Sequence, residues 1–205
     1  MTAKETDVKV RLGKVIPVVE LASLCGLFLF FRWRVVPDGF GILLVFLLPI
    51  AFGLHVTEEF ICPGGFIDWD NIFRPKYTDT PGSFYVKVNA FPSIASLLLV
   101  LGAFDYTGKY SFPGIRGWCV LAFCVTWNAL FHIRGAIQTR KYSPGMATGL
   151  LLYIPLTILG CIHFKNSGVI DIPSLILCAA IAMAIQPTLD FIKNRGLRKR
   201  LTHHQ

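Results

Sequence analysis

Charge is scarce in this chain. Only 16% of its 205 residues are Asp, Glu, Lys or Arg, where a soluble domain carries about 25%. With 54% hydrophobic residues and a mean hydropathy of +0.58, this shortage argues against an ordinary water-soluble domain. Other absences exclude particular chemistries. There is no HExxH for a zinc peptidase, no GxSxG elbow and no phosphate-binding loop. Histidine is limited to five residues without paired boxes, which disfavours a histidine-rich di-iron desaturase. The six cysteines, Cys25, Cys62, Cys119, Cys124, Cys161 and Cys178, include no CxxC pair. They read as small buried hydrophobes and not as a disulfide framework or a thiolate metal site. The polar N-terminus runs into an apolar block without a small-residue cleavage site, so no cleaved signal peptide is expected. No internal repeat or low-complexity tract stands out.

What the chain does contain is apolar residues in blocks, the pattern of a polytopic membrane protein. The expected fold is an all-α membrane helix bundle with about six transmembrane spans, near 15–31, 39–55, 90–104, 116–133, 146–164 and 169–192. The length allows one integral membrane domain over 1–205, with its core at about 15–192 and a basic tail at 193–205. Six spans put both termini on one side. Fifteen Lys and Arg fall on that side and five on the other, which predicts cytoplasmic termini. The net charge of +8 is thereby accounted for at the ends of apolar blocks. No single basic face remains, so nucleic acid is not an expected partner. The lipid bilayer is, in the cytoplasmic membrane or an internal one.

One apolar run, LLVFLLPIAFGL, ends in HVTEEF. A histidine and two adjacent carboxylates, His55, Glu58 and Glu59, are costly so close to hydrocarbon and call for a partner or a purpose. His55 lies about 16 residues into its span and His132 about 16 into another, so both sit about 24 Å along their helices at similar depth. Other polar groups gather at that level: Glu20, Asn89, Asn128, Gln186 and Asp190. Asn128 shares a helix face with His132 at i, i+4. In a helix, His55 is flanked by Glu59 and Glu58 on one surface. Such a cluster suits a metal site built from His55, Glu59 and His132, with a divalent zinc, iron or manganese ion as cofactor. It also suits metal-free acid–base chemistry between close carboxylates. Plainer readings stand beside these: a solvated helix end for the two glutamates, a hydrogen-bonded core or interfacial role for each histidine, an ion pair for Glu20, and a solvated tail for His203 and His204. The long loop at 60–88, with its aromatics between Pro-Gly breaks, suits either a lid or an interfacial anchor.

The spacing of these residues resembles the HXXEE family of membrane proteins. His55-Val56-Thr57-Glu58-Glu59 supplies the motif after which the family is named. His132 matches its later histidine, and Tyr142-Ser143-Pro144-Gly145 its Y-x-P-G element. The resemblance implies a membrane protein with a shared polar site and fixes no reaction. Tyr142 would stand at the interface with its hydroxyl free to reach a polar pocket.

These readings favour a membrane-embedded enzyme acting on a lipid-like or apolar substrate, of undetermined reaction class. Glu58, Glu59, His55, His132 and Tyr142 would be catalytic, and Asn128, Glu20 and Asn89 supporting. The alternative is a small transporter or proton- or ion-coupling protein using the same cluster, acting as an oligomer. A third reading is a scaffold in which the cluster only holds helices together.

Overall fold

The computed structural model of the protein describes residues 3–33, 38–75, 80–104, 109–185 and 188. The described backbone is helical: α1 (Ala3–Trp33), α2 (Gly39–Phe60), α3 (Phe66–Phe73), α4 (Gly82–Gly102), α5 (Phe112–Thr139), α6 (Met146–Asn166) and α7 (Ile172–Ile185). No strand occurs among the described residues, only an isolated bridge between Phe104 and Tyr110. Three helices, α2, α5 and α6, are long and apolar enough to cross a membrane. The spans expected near 15–31, 90–104 and 169–192 coincide with α1, α4 and α7, but these helices do not reach that combination of length and hydropathy among the described residues. Gln186, Asp190, His203, His204 and the basic tail lie outside the described residues.

Two helices begin well before their apolar blocks. α1 starts at Ala3 because Val8, Leu12, Ile16 and Val19, all buried, recur at spacings of four and three along one face. That is an amphipathic stripe, which a search for solid apolar blocks overlooks. α4 starts at Gly82, so Pro92 falls in its interior and not in its first turn. Proline has no N–H, and the carbonyl of Val88 therefore loses its usual helix partner.

Local chemistry sets the other ends. Asp38 caps α2, its Oδ1 accepting from Gly41 N at 2.9 Å. Ser111 caps α5, which carries Pro113 in its first turn and ends at Arg140 in the left-handed region. The chain then turns at Gly145 (φ 100°) and enters α6. The second turn of α6, Gly149–Tyr153, is a π-helix.

α2, α5 and α6 pack around Leu48, Trp118, Tyr153 and Phe164. Gly160 lets α6 approach α5 closely, since a Cβ there would stand 2.1 Å from the Trp118 ring. Close backbone approach of this kind drives helix association in a lipid-like medium, where burial alone gains little. A second cluster joins α1, α2, α3 and α4 through Leu12, Phe60, Phe66 and Tyr85. The last turns of α2 and the second half of α5 lie where the two clusters meet.

Candidate metal centre

His55 and Glu59 stand one turn apart on α2, and His132 faces them from α5. All three are buried. Glu59 Oε1 lies 3.4 Å from His55 Nε2 and 3.0 Å from His132 Nε2. One ligand atom from each residue falls within 4.8 Å of the others, so the cluster could hold a metal ion. Adjacent donors on a tetrahedral ion at about 2.1 Å are separated by about 3.4 Å, close to the spacing seen. The donor set of two imidazoles and one carboxylate suits zinc with an open fourth position, or iron in a facial triad.

Asn128 meets the same Nε2 atoms that face Glu59, and hydroxyl groups hold the far, Nδ1 sides of both rings. Asn128 Nδ2 donates to His55 Nε2 at 2.8 Å and lies 3.4 Å from His132 Nε2. Accepting at Nε2 puts the proton of His55 on Nδ1, which donates to Thr148 Oγ1 at 2.8 Å. The Thr148 hydroxyl in turn donates to Glu58 Oε2 at 2.6 Å. A carboxylate–hydroxyl–imidazole chain thus fixes the ring with Nε2 toward Glu59 and Asn128, and the Asn128 amide would have to turn aside for that nitrogen to bind a metal ion. His132 Nδ1 meets Ser143 Oγ at 2.7 Å. Partners of this kind fix tautomer and ring orientation at metal-binding histidines.

Glu58 and Glu59 therefore part company despite being neighbours. Glu59 faces the imidazoles. Glu58 accepts from the Tyr142 hydroxyl, from Ala147 N at 3.2 Å, from Thr148 N at 2.8 Å and from Thr148 Oγ1, which ties the start of α6 to α2. Burial, then the bond to Glu58, pushes the Tyr142 phenol up to about 12, so it remains a donor at neutral pH. Gly145 completes the enclosure. A Cβ there would stand 2.7 Å from His55 Cε1, 2.9 Å from His132 Cε1 and 3.0 Å from Glu59 Cγ.

α3 closes the site from another side. The turn before it runs through Gly64 and Gly65, both at positive φ. Trp69 stacks on His132 with ring centroids 5.8 Å apart, and Phe66 lies 5.6 Å away. Arg74 grips the buried Asp70 through Nε at 2.6 Å and Nη2 at 3.0 Å. Lid and interfacial anchor are compatible readings of the 60–88 segment, and α3 packs over His132 as a cover would.

Of the remaining expected residues, Asn89 bonds the Tyr85 carbonyl at 2.8 Å and lines an apolar cavity of about 340 Å³ that also reaches Glu59 and Asn128. Glu20 packs on Gly53, where a Cβ would come within 2.5 Å of its Cγ. Its Oε1 is buried without a hydrogen-bond partner among the described residues, and it is not one of the three converging donors. Sequence reasoning gave no role to Ser143, Thr148 or Tyr153. Tyr153 is fully buried, its ring 4.7 Å from that of His55, and its hydroxyl has no partner among the described residues. Also passed over was His163, whose Nε2 meets Asp38 Oδ2 at 2.5 Å while the Tyr110 hydroxyl donates to the same oxygen at 2.6 Å. This second polar group lies at the opposite end of α2.

Comparison with known proteins returns one family model, described as a protein of unknown function with HXXEE motif, matching residues 46–159. No curated protein and no solved structure matches the chain.

Proposed function

This chain belongs to the HXXEE family, and from that premise we propose a membrane-embedded enzyme with a divalent-metal site at His55, Glu59 and His132. The observation that carries this reading is the convergence of three buried donors from two helices, each imidazole held from behind by a hydroxyl. A bound ion would supply a Lewis acid or an activated water. The protein's own groups do the rest. Thr148 and Ser143 orient the imidazoles. Glu58 anchors Tyr142 and the α6 entry turn. Asn128 stands beside both Nε2 atoms, where its amide can hydrogen-bond an incoming polar group. α3, through Trp69 and Phe66, excludes water from His132. A substrate of apolar, lipid-like character fits the cavity that reaches Glu59 and Asn128.

We place six helices across the bilayer with both termini in the cytoplasm, on the strength of the Lys and Arg distribution. The transport reading draws support from the Asp38–Tyr110–His163 group, which gives polar residues at both ends of α2. Against it, the buried side chains of α2 between them, Ile42, Leu44, Val45, Phe46, Leu48 and Ala51, offer no polar step.

The test is elemental analysis of the full chain purified in detergent. Stoichiometric zinc, iron or manganese is expected, and its loss in His55→Ala and His132→Ala. Folded wild-type protein that takes up none of the three when they are supplied would refute the metal reading.

A further inference from the structure

Five helices, α2, α3, α4, α5 and α7, line the cavity of about 340 Å³, a volume within the range of small-molecule sites. Its polar lining is Glu59, Arg74, Asn89 and Asn128, of which Glu59 and Asn128 also belong to the buried His/Glu cluster, and its apolar walls include Phe52, Leu121, Val125 and Phe131. α4 contributes Val88, Asn89, Pro92 and Ala95. The interior proline helps explain why this side is not tightly packed, since a helix bends where the backbone ladder is interrupted.

The position of the mouth is the informative feature. Trp127 of α5 and Ile185 of α7 both line the cavity and are 42% and 37% exposed. Around them the surface is apolar, with Ile94, Leu98 and Ile181 all exposed. The opening is therefore on the flank of the bundle and framed by hydrophobic side chains. The exposed lining residues, Trp127 and Ile185, offer a water-borne substrate no charged group at the rim; the polar lining residues Glu59, Arg74, Asn89 and Asn128 are less exposed. A molecule dissolved among acyl chains would pass from one apolar medium into a mostly apolar chamber, whose polar groups are Glu59, Arg74, Asn89 and Asn128.

We propose that this cavity is a lateral chamber for a membrane-dissolved molecule with an aliphatic body and one oxygen-bearing polar end, which enters between α4 and α7 and brings that end to Glu59 and Asn128. The proposal deepens the metal-site reading by naming the substrate class and its route, and it rests on that reading only for what happens at the polar end. Trp127 is then the gate residue. Ala95 and Ala182, both on the lining, keep the passage wide because they are small.

The test uses the full chain in lipid nanodiscs and a photoreactive probe, dodecanol carrying a diazirine on its chain. Labelling mapped by mass spectrometry is expected on Val88, Val125, Trp127 and Phe131, and excess unlabelled dodecanol is expected to abolish it. Ala95→Phe and Ala182→Phe are expected to lose this labelling while keeping the diffuse labelling of outward-facing Leu21 and Ile158, which reports an intact fold. Labelling spread evenly over the exposed apolar surface, or unchanged by both substitutions, would overturn the proposal. His132→Ala is expected to keep the wall labelling. Localised, blockable labelling in a protein that binds no metal would leave the chamber standing and sink the metal reading. Bound metal without such labelling would do the reverse.

Discussion

Between Glu58 and His55 stands a single hydroxyl. Thr148 Oγ1 accepts a hydrogen bond from the imidazole and donates one to the carboxylate, so its removal leaves His55 free to change tautomer or ring angle. Thr148→Val, which keeps the shape, is expected to weaken metal affinity about 10- to 100-fold, measured by competition with a chromophoric chelator, while Thr148→Ser restores it. An affinity unchanged in the valine variant would show that the hydroxyl does not orient the ligand. Gly145 is tested at the same scale. Its φ of 100° is unfavourable for any side chain, and an added methyl would meet both imidazoles and Glu59. Gly145→Ala is expected to cost about 1–3 kcal/mol in stability and to lose metal together, read by thermal denaturation and elemental analysis. At this scale the sequence was partly legible. His55, Glu59 and His132 could be linked because helical spacing and equal depth follow from residue number alone. Ser143, Thr148 and Tyr153 could not: a helical threonine hydroxyl usually bonds its own backbone, Ser143 lies in the turn between α5 and α6, and no spacing aims any of the three at another helix.

Among the elements, α3 is the one whose form was least visible in advance. Eight residues between glycine and proline breaks give a short pattern that serves equally for a cover and for an interfacial anchor. Only the stacking of Trp69 on His132 and the buried grip of Arg74 on Asp70 give it the packing of a cover. Trp69→Ala is expected to speed hydrogen exchange across residues 66–73 and to open His132 to water, whereas an interfacial anchor would leave exchange at His132 unaltered. The starts of α1 and α4 were hidden for a different reason. Their first turns carry charge on one face, and an apolar block locates a span without locating the helix that contains it. At the other end of α2, burial alone would raise the Asp38 carboxyl, but hydrogen bonds from Tyr110, Gly41 and His163 outweigh it and hold Asp38 below the ordinary value of 3.8. A depressed folded value contributes stability above the unfolded pKa and loses it as pH falls through the folded one. The melting temperature of the wild type should therefore drop below pH 3.8, and the part of that drop due to Asp38 should vanish in Asp38→Asn. An identical pH profile in the two proteins would rule out this contribution.

Taken whole, the molecule places its polar chemistry at one end of the bundle and a smaller polar tie at the other, with apolar packing between. The block pattern made an all-helical fold with long apolar helices legible, the form a chain takes where every backbone group must be satisfied internally. It did not separate α2, α5 and α6, which have the length and hydropathy to cross a membrane, from α1, α4 and α7, which do not reach both among the described residues. The proposed topology has a direct check. Tags at the two termini should both be protected in sealed vesicles of one orientation and both be exposed in the other. Tags on opposite sides would require an odd number of crossings and remove the charge argument.

The central claim is that His55, Glu59 and His132 bind one ion, and anomalous X-ray diffraction at the absorption edge of the metal found in the purified protein tests it most directly. A single peak is expected at about 2.0–2.2 Å from His55 Nε2, His132 Nε2 and a Glu59 carboxylate oxygen. A peak elsewhere in the bundle, or no peak in crystals of folded protein soaked with zinc, iron or manganese, would contradict it.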